Sequence, residues 1–326
     1  MRAASMIACS TAVLAVIACS GTAAAQVVLR QRCEPGSVTY ETTGAVRQRV
    51  SLLGQTVDSS IDQAMTLEVT TGAPNERGDR EIAYRPRRLT ISTRSGDERL
   101  AFDSADPDDL RSARQEDAAS TLRLFAALAE ATWSLTVDES LSVREFRGRE
   151  RVLDGLDPDT ARGLAPQFEP EYLRRQAQEE LQPFADRPVR PGDRWRRSRE
   201  QLLEGGVTLR IDEEFRYVGE IDAAGERQHQ VDWRCVAARL VVPDPESNVD
   251  ADAPARDAAT QPTIDYGTLR VVESRGELRL SQASGRIESS ERHLVLTGPL
   301  TLRLGERQIE GTVDLTLDER QRRIIE

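Results

Sequence analysis

The sequence predicts an α+β fold: two antiparallel, strongly twisted sheets or half-barrels with a central helical insert. Three observations carry that expectation. Apolar and polar residues alternate with period two from Val27 to Phe102. The period then lengthens to that of helices between residues 106 and 186. Alternation resumes to the end of the chain, and "RPGDRW" (Arg190–Trp195) echoes "EPGSVTY" (Glu34–Tyr40), a Pro-Gly turn with an aromatic soon inside a strand.

Taken in order, residues 1–25 read as an export signal. Arg2 is the only charge before Arg30, and Met6 to Ala18 is almost wholly apolar or small, too short a run to span hydrocarbon, which needs about 20 residues. Two cuts compete. Val16-Ile17-Ala18-Cys19 forms a lipoprotein box that would leave a lipidated Cys19, and Ala23-Ala24-Ala25 forms an ordinary signal-peptidase site. The second is favoured because a strand pattern starts directly at Gln26-Val27-Val28, and Ser20 to Gln26 is short for a tether. The protein is therefore expected in the periplasm or outside the cell, with a membrane-anchored lipoprotein as the alternative.

Residues 26–105 form a β-rich half. Ile61, Gln63, Met65, Leu67 and Val69 make a long face opposed by Asp62, Ala64, Thr66 and Glu68. One dry and one wet face is the habit of antiparallel sheets. Asp106-Pro107-Asp108-Asp109 then reads as a helix start, with a capping carboxylate, proline at the first helical position and acids favoured by the helix dipole. Leu110, Ala113, Leu122 and Phe125 continue at helical spacing. Trp133, Leu135 and Val137 with Leu141 and Val143 suggest a hairpin, and Leu173, Ala177 and Leu181 mark one face of a later helix. Residues 187–326 make a second β-rich half, interrupted at 243–263 by a flexible acidic loop rich in Pro, Ala and Asp.

The export signal, "VVLRQRCEPGSVTYET", "RPVRPGDRW" and "GELRLSQASGRIESS" together resemble an uncharacterised family of exported bacterial proteins, a domain of unknown function. The resemblance spans nearly the whole mature chain. It implies an α+β envelope protein and brings no catalytic residues to carry over; the cysteines and the acidic loop lie outside its pattern.

Chemistry is scarce. The 326 residues carry a net charge of −11, which argues against nucleic acid and anionic surfaces as partners. All the basic residues are arginine, so Schiff-base and P-loop chemistry are excluded. Cys33 and Cys235 both follow the apolar parity of their segments, which points the thiols inward. In an oxidising compartment a disulfide between them would close a loop of about 200 residues, worth several kcal/mol in the chain-entropy account; two buried free thiols are the other reading. His229 and His293 belong to no recognisable motif. Glu179-Glu180 and Glu213-Glu214 read as solvated faces, the latter pair pointing to opposite sides of a strand. The arginines at 85–88 and 194–199 read as charge guarding strand edges. "DPESNVDAD" (Asp244–Asp252) has alternating oxygen ligands, but lacks the glycine and the closing glutamate of a calcium loop.

No catalytic, cofactor-binding or metal-ligating constellation emerges and no cofactor is expected. The leading expectation is a non-catalytic envelope module that binds an apolar ligand or a protein. A half-barrel carrier of lipid or lipoprotein, and a hydrolase with an unrecognised site, are the alternatives. Protein recovered from its own envelope is expected to show an intact mass beginning at Gln26; a mass beginning at a diacylglyceryl-modified Cys19 would establish the other cut.

Overall fold

In a computed structural model, residues 26–115, 118–202, 208–223, 225–241, 263–266, 268–304 and 307–324 are described. The export signal with Cys19, and nearly all of the acidic loop with its calcium-like stretch, lie outside them.

The strands are β1 (Gly36–Leu52), β2 (Gln55–Thr71), β3 (Arg80–Ser95), β4 (Glu98–Asp103), β5 (Trp133–Val137), β6 (Val143–Arg147), β7 (Arg194–Leu202), β8 (Thr208–Ala223), β9 (Glu226–Val241), β10 (Thr263–Tyr266), β11 (Thr268–Ser281), β12 (Ile287–Leu304) and β13 (Arg307–Ile324). Between β4 and β7 lie the helices α1 (Pro107–Ala113), α2 (Ser120–Glu130), α3 (Arg149–Leu153), α4 (Pro158–Leu164) and α5 (Pro170–Leu181), with a 3-10 turn at Ala165–Phe168.

The expected pair of sheets is not what forms. All the strands belong to one 13-stranded sheet in the order β6-β5-β3-β2-β1-β13-β12-β11-β9-β8-β7, with β4 paired to β3 and β10 to β12. The two β-rich halves merge because the first and last strands pair antiparallel from Thr39↔Ile324 to Leu52↔Gly311. Alternation within each strand shows which face is dry but says nothing about which strands are neighbours. Strands that would have been the open edges of two sheets satisfy each other's backbone groups instead. The helical segments sit between strands of this one sheet, and the α+β reading gives way to a mainly β architecture. Val27 contributes only an isolated bridge to Val189, not the regular first strand that the pattern suggested.

The local helix signals hold. Asp106 accepts from the backbone N–H of Asp108 at 2.8 Å with Pro107 in the first turn, and Asp157 caps α4 through Thr160 at 3.0 Å. Helix α5 docks on the β5–β6 hairpin through Gln178, which accepts from the N–H of Val143 and donates to the carbonyl of Leu141. Its Ala177 and Leu181 enter a core shared with Tyr40, Leu67, Ile82, Leu135 and Val143. A second core lies under the C-terminal strands around Tyr217, Trp233, Leu278 and Leu296, and a third joins β3 and β4 to α1 and α2 through Phe102 and Phe125.

The register shows how the sheet crosses the molecule. One row runs Trp195–Phe215–Trp233–Gly276–Arg292–Glu319–Gly44–Gln63–Ile91–Phe102, from β7 to β4. Its aromatic end is stacked, with Trp195 and Phe215 rings 5.6 Å apart and 7° from parallel. Gly276 lies beneath Trp233: a Cβ there would stand 2.4 Å from the carbonyl oxygen of Glu291 and 2.9 Å from the indole. Gly276→Ala is therefore expected to lower the denaturation midpoint by about 1–3 kcal/mol of stability, as overpacking does. Gly163→Ala in α4, where an added Cβ meets nothing within 4 Å, is expected to raise it by about 0.5–1 kcal/mol. Equilibrium denaturant titrations of the two variants check the pair.

Candidate functional site: an apolar cavity with a charged wall

An interior cavity of about 620 Å³ lies between α5, the β5–β6 hairpin and one face of the sheet. Side chains from β2, β3 and β5 line it (Met65, Leu67, Ile82, Tyr84, Leu135), and so do Leu278 of β11 and Ile287 of β12. Strands that far apart in the order, at about 4.8 Å per step, reach one cavity only because the sheet curls. Several apolar liners are not closed off by protein. Met65, Tyr84, Trp133, Phe146 and Leu173 all keep part of their surface, and it faces this space. Tyr84 and Trp133 stack at 5.9 Å, 7° from parallel, and give the wall a flat aromatic panel. Burial pushes the Tyr84 hydroxyl far above its ordinary pKa.

A second, wider hollow of about 870 Å³ adjoins the first, the two sharing Thr43, Gly44, Gln63, Arg292, Glu319 and Arg320. These shared residues form a polar neck between the apolar interior and an outer chamber that carries Asp62, Asp103, Glu277, Glu291 and Asp318. Gly44 and Gly276, on either side of Arg292 and Glu319 in the cross-strand row, keep the sheet surface low there.

At the inner side of the neck stands a group of charges. Arg199 lies 3.7 Å from both Glu213 and Glu319, and Arg292 lies 3.9 and 3.8 Å from the same two carboxylates. These are ion pairs without hydrogen-bond contact, and the Nε of Arg199 is a buried donor with no acceptor. Glu213 is anchored by the indole N–H of Trp233 at 3.0 Å, and the Arg292 guanidinium sits 5.6 Å over that ring. Two further carboxyls, Glu179 and Glu180, face the same space from α5. Glu180 keeps exposed surface, and it borders this cavity. Desolvation pushes both carboxyls up, Glu179 to about 7.

Sequence reasoning placed several of these groups elsewhere. Glu179-Glu180 and Glu213 are expected on solvated faces; Glu213 is buried instead, Glu179 is half-buried, and Glu180 is exposed as expected, though it borders the cavity. The arginines of β7 divide: Arg194 and Arg196 hold Glu214 on the outer side, together with Arg234, while Arg199 turns into the cavity wall. A signal existed. Glu213 continues the parity of Ile211, Phe215 and Tyr217; Arg292 that of Leu294 and Leu296; Glu319 that of Leu315 and Leu317. A charge that interrupts a dry face is the informative observation.

Cys33 and Cys235 are buried as their parity suggested, but as separate free thiols in different cores, so the expected disulfide is not formed. Burial raises the Cys235 thiol to about 11, and Cys33 is raised by the same cause. His229 Nδ1 is 2.9 Å from the Tyr217 hydroxyl, and burial lowers its pKa. His293 Nδ1 is 2.7 Å from Asp318, with Glu273 3.7 Å from Nε2. Neither histidine is hydrogen-bonded to a serine hydroxyl among the described residues, where no metal-ligating cluster occurs either.

No family model matches the chain, and no curated protein matches it. Among solved structures it is similar to lipovitellin, in a structure described as showing lipid–protein interactions, at 11% identity over 90% of this chain and 26% of that one, with a TM-score of 0.42. The chain thus spans about a quarter of lipovitellin's length. It is also similar to a DUF1329 family protein from Desulfovibrio piger (6% identity, 86% and 85% of the two chains, TM-score 0.12). A third is DynF of dynemicin biosynthesis in Micromonospora chersina (8%, 91% and 85%, TM-score 0.16). At these TM-scores none of the three fixes a fold or an activity for this chain.

The raised Glu179 carboxyl has a consequence for stability. In the folded protein it keeps its proton up to about pH 7, whereas an unfolded glutamate gives it up near about 4.3. Between those values the folded state binds more protons, so this group's contribution falls as pH rises and its penalty is complete above about 7. Glu179→Gln is expected to flatten the decline in Tm between about pH 5 and 8; parallel declines in the two proteins would contradict the placement.

Proposed function

We propose that this is an exported envelope protein that binds an apolar, chain-bearing ligand in the interior cavity without transforming it. The observation that carries the reading is the apolar cavity of about 620 Å³ whose aromatic and aliphatic liners keep interior surface uncovered by protein. Its size lies within the about 300–1,000 Å³ of ligand pockets, and its composition, mostly apolar with a few convergent polar groups, is theirs as well. The N-terminal sequence supports export. Among the described residues His229 bonds to Tyr217 and His293 to Asp318, neither to a serine hydroxyl, which favours binding over hydrolysis.

A hydrocarbon tail moving from water into such a space gains about 0.8 kcal/mol per methylene, or roughly fourfold in affinity. In a series of straight-chain alcohols, affinity is expected to climb by about that factor per carbon and then level off where the cavity ends. Trp133 fluorescence supplies the readout, since Trp195 and Trp233 do not line this space. Met65→Trp, which fills the cavity from β2, is expected to weaken the longest members at least about tenfold. A series with no chain-length dependence would overturn the reading, as would a protein purified from its own envelope that never carries an apolar passenger in native mass spectrometry.

A further inference from the structure

The cavity wall holds two guanidiniums that lack hydrogen bonds. The side chains of Arg199 and Arg292 are largely covered, each keeping 20% exposure. Among the described residues neither guanidinium makes a hydrogen bond: their carboxylate neighbours stand 3.7 to 3.9 Å away, and the Nε of Arg199 is buried without an acceptor. Arginine presents its N–H donors in a fixed fork, and leaving covered donors unmet is destabilising. Both side chains line the apolar cavity, and Arg292 also reaches the outer hollow, so the pair stands where the interior meets the neck.

The slot between them already accepts a carboxylate. Oε2 of Glu319 lies 3.7 Å from one terminal nitrogen of Arg199 and 3.8 Å from one of Arg292. Glu213 is buried and held by the indole of Trp233. Glu319, by contrast, keeps 46% of its side chain exposed and accepts no hydrogen bond among the described residues. The surrounding charge suits a further anion. Five arginines line the cavity against three glutamates. Arg320 is paired to Glu291 at 2.6 Å, whereas Arg32 and Arg286 make no ion pair within 4 Å among the described residues.

Resting on the binding reading above, we propose that the ligand is a fatty-acid-like amphiphile whose carboxylate is held by Arg199 and Arg292 in the place of the Glu319 carboxylate. Its hydrocarbon tail lies along Met65, Tyr84 and Trp133. A head free to move closes to hydrogen-bond distance on both forks, which Glu319, fixed to its strand, does not reach. The displaced Glu319 turns to the outer hollow, which it also lines. A cationic head would face the guanidiniums directly.

Charge sets the pH dependence. The groups facing Glu179 are Arg175 of its own helix, Arg199 and Glu200 of β7 and Glu213 of β8. Glu180 beside it, Arg292 of β12 and Glu319 of β13 complete the wall. Glu179 is uncharged below about 7 and adds an anion to the wall above that value. Affinity for a carboxylate head therefore falls as pH rises through about 7.

Calorimetry of the full chain with dodecanoate, dodecanol and dodecylammonium, each below its aggregation concentration, tests the proposal. At pH 6.5 dodecanoate is expected to bind at least about tenfold more tightly than dodecylammonium and at least about threefold more tightly than dodecanol. Its advantage over dodecanol is expected to shrink at pH 8. Arg199→Gln, its fold checked by circular dichroism, is expected to remove that advantage. Glu319→Gln, which deletes the competing carboxylate, is expected to tighten dodecanoate by at least about threefold and to leave dodecanol unchanged; a merely structural Glu319 predicts no such gain. Dodecylammonium binding as tightly as dodecanoate overturns the proposal, as does a Glu319→Gln protein that binds dodecanoate no better. Equal binding of dodecanoate and dodecanol removes the head assignment and leaves the cavity reading standing; binding of none removes the cavity reading itself.

Discussion

The pairing of β1 with β13 is the constraint on which the rest depends. These two strands lie at opposite ends of the described β-structure in sequence, and they meet from Thr39 against Ile324 to Leu52 against Gly311. That contact makes one sheet of two meanders. It also puts the apolar faces of both on a single surface too broad to be covered by a few short helices. The sheet curls, α5 and the β5–β6 hairpin cover part of the curl, and the uncovered remainder is the cavity. The pairing is of very high contact order, and closing so long a loop carries a large entropic cost.

The same curl explains the concentration of charge at the neck. Rows of a twisted antiparallel sheet carry their side chains to one side, and Arg292 and Glu319 occur in a row whose other members, Gln63 apart, are aromatic, aliphatic or glycine. Arg292 is largely covered and Glu319 stays half exposed, so the desolvation cost of the pair falls mainly on the arginine. Here the cost is shared: Trp233 donates to Glu213, Arg292 stacks on Trp233, and Arg199 of the edge strand closes the group. The outer face shows the contrasting solution. There Glu214 takes hydrogen bonds from Arg194, Arg196 and Arg234, and those from Arg194 and Arg234 hold its carboxyl below the usual range. Two adjacent glutamates thus serve opposite sides of one strand.

Much of the local structure was legible in the sequence, because local structure has local causes. Asp106 and Pro107 announced α1, and the period-two face from Ile61 to Val69 announced β2. The arrangement was not, because alternation carries no information about partners, and nothing near residue 40 points to residue 323. The site failed to show for a related reason. Glu179, Arg199, Arg292 and Glu319 come from four separate segments, and each looks alone like one more surface charge in a chain that is 30% charged. Arg292 and Glu319 each place a charge where the neighbours in parity are apolar, which becomes visible only when the dry faces are traced first; Arg199 and Glu179 carry no such signal.

The cavity itself argues for an occupant. Residual cavities inside protein cores cost roughly 24 cal/mol per Å³, so a dry space of about 620 Å³ would carry a penalty of about 15 kcal/mol, comparable to the entire stability of a domain. Such a space is not maintained dry. Through the neck at Thr43, Gly44 and Gln63 it communicates with the outer chamber, and water that enters wets Met65, Trp133 and Phe146. The price is then hydrophobic, spread over their exposed surfaces, and a tail that displaces the water recovers it. Larger side chains at positions 44 and 65 would have removed the problem by filling the space. Keeping the space while lining it with aromatic rings makes sense for a protein whose occupied state is its working state.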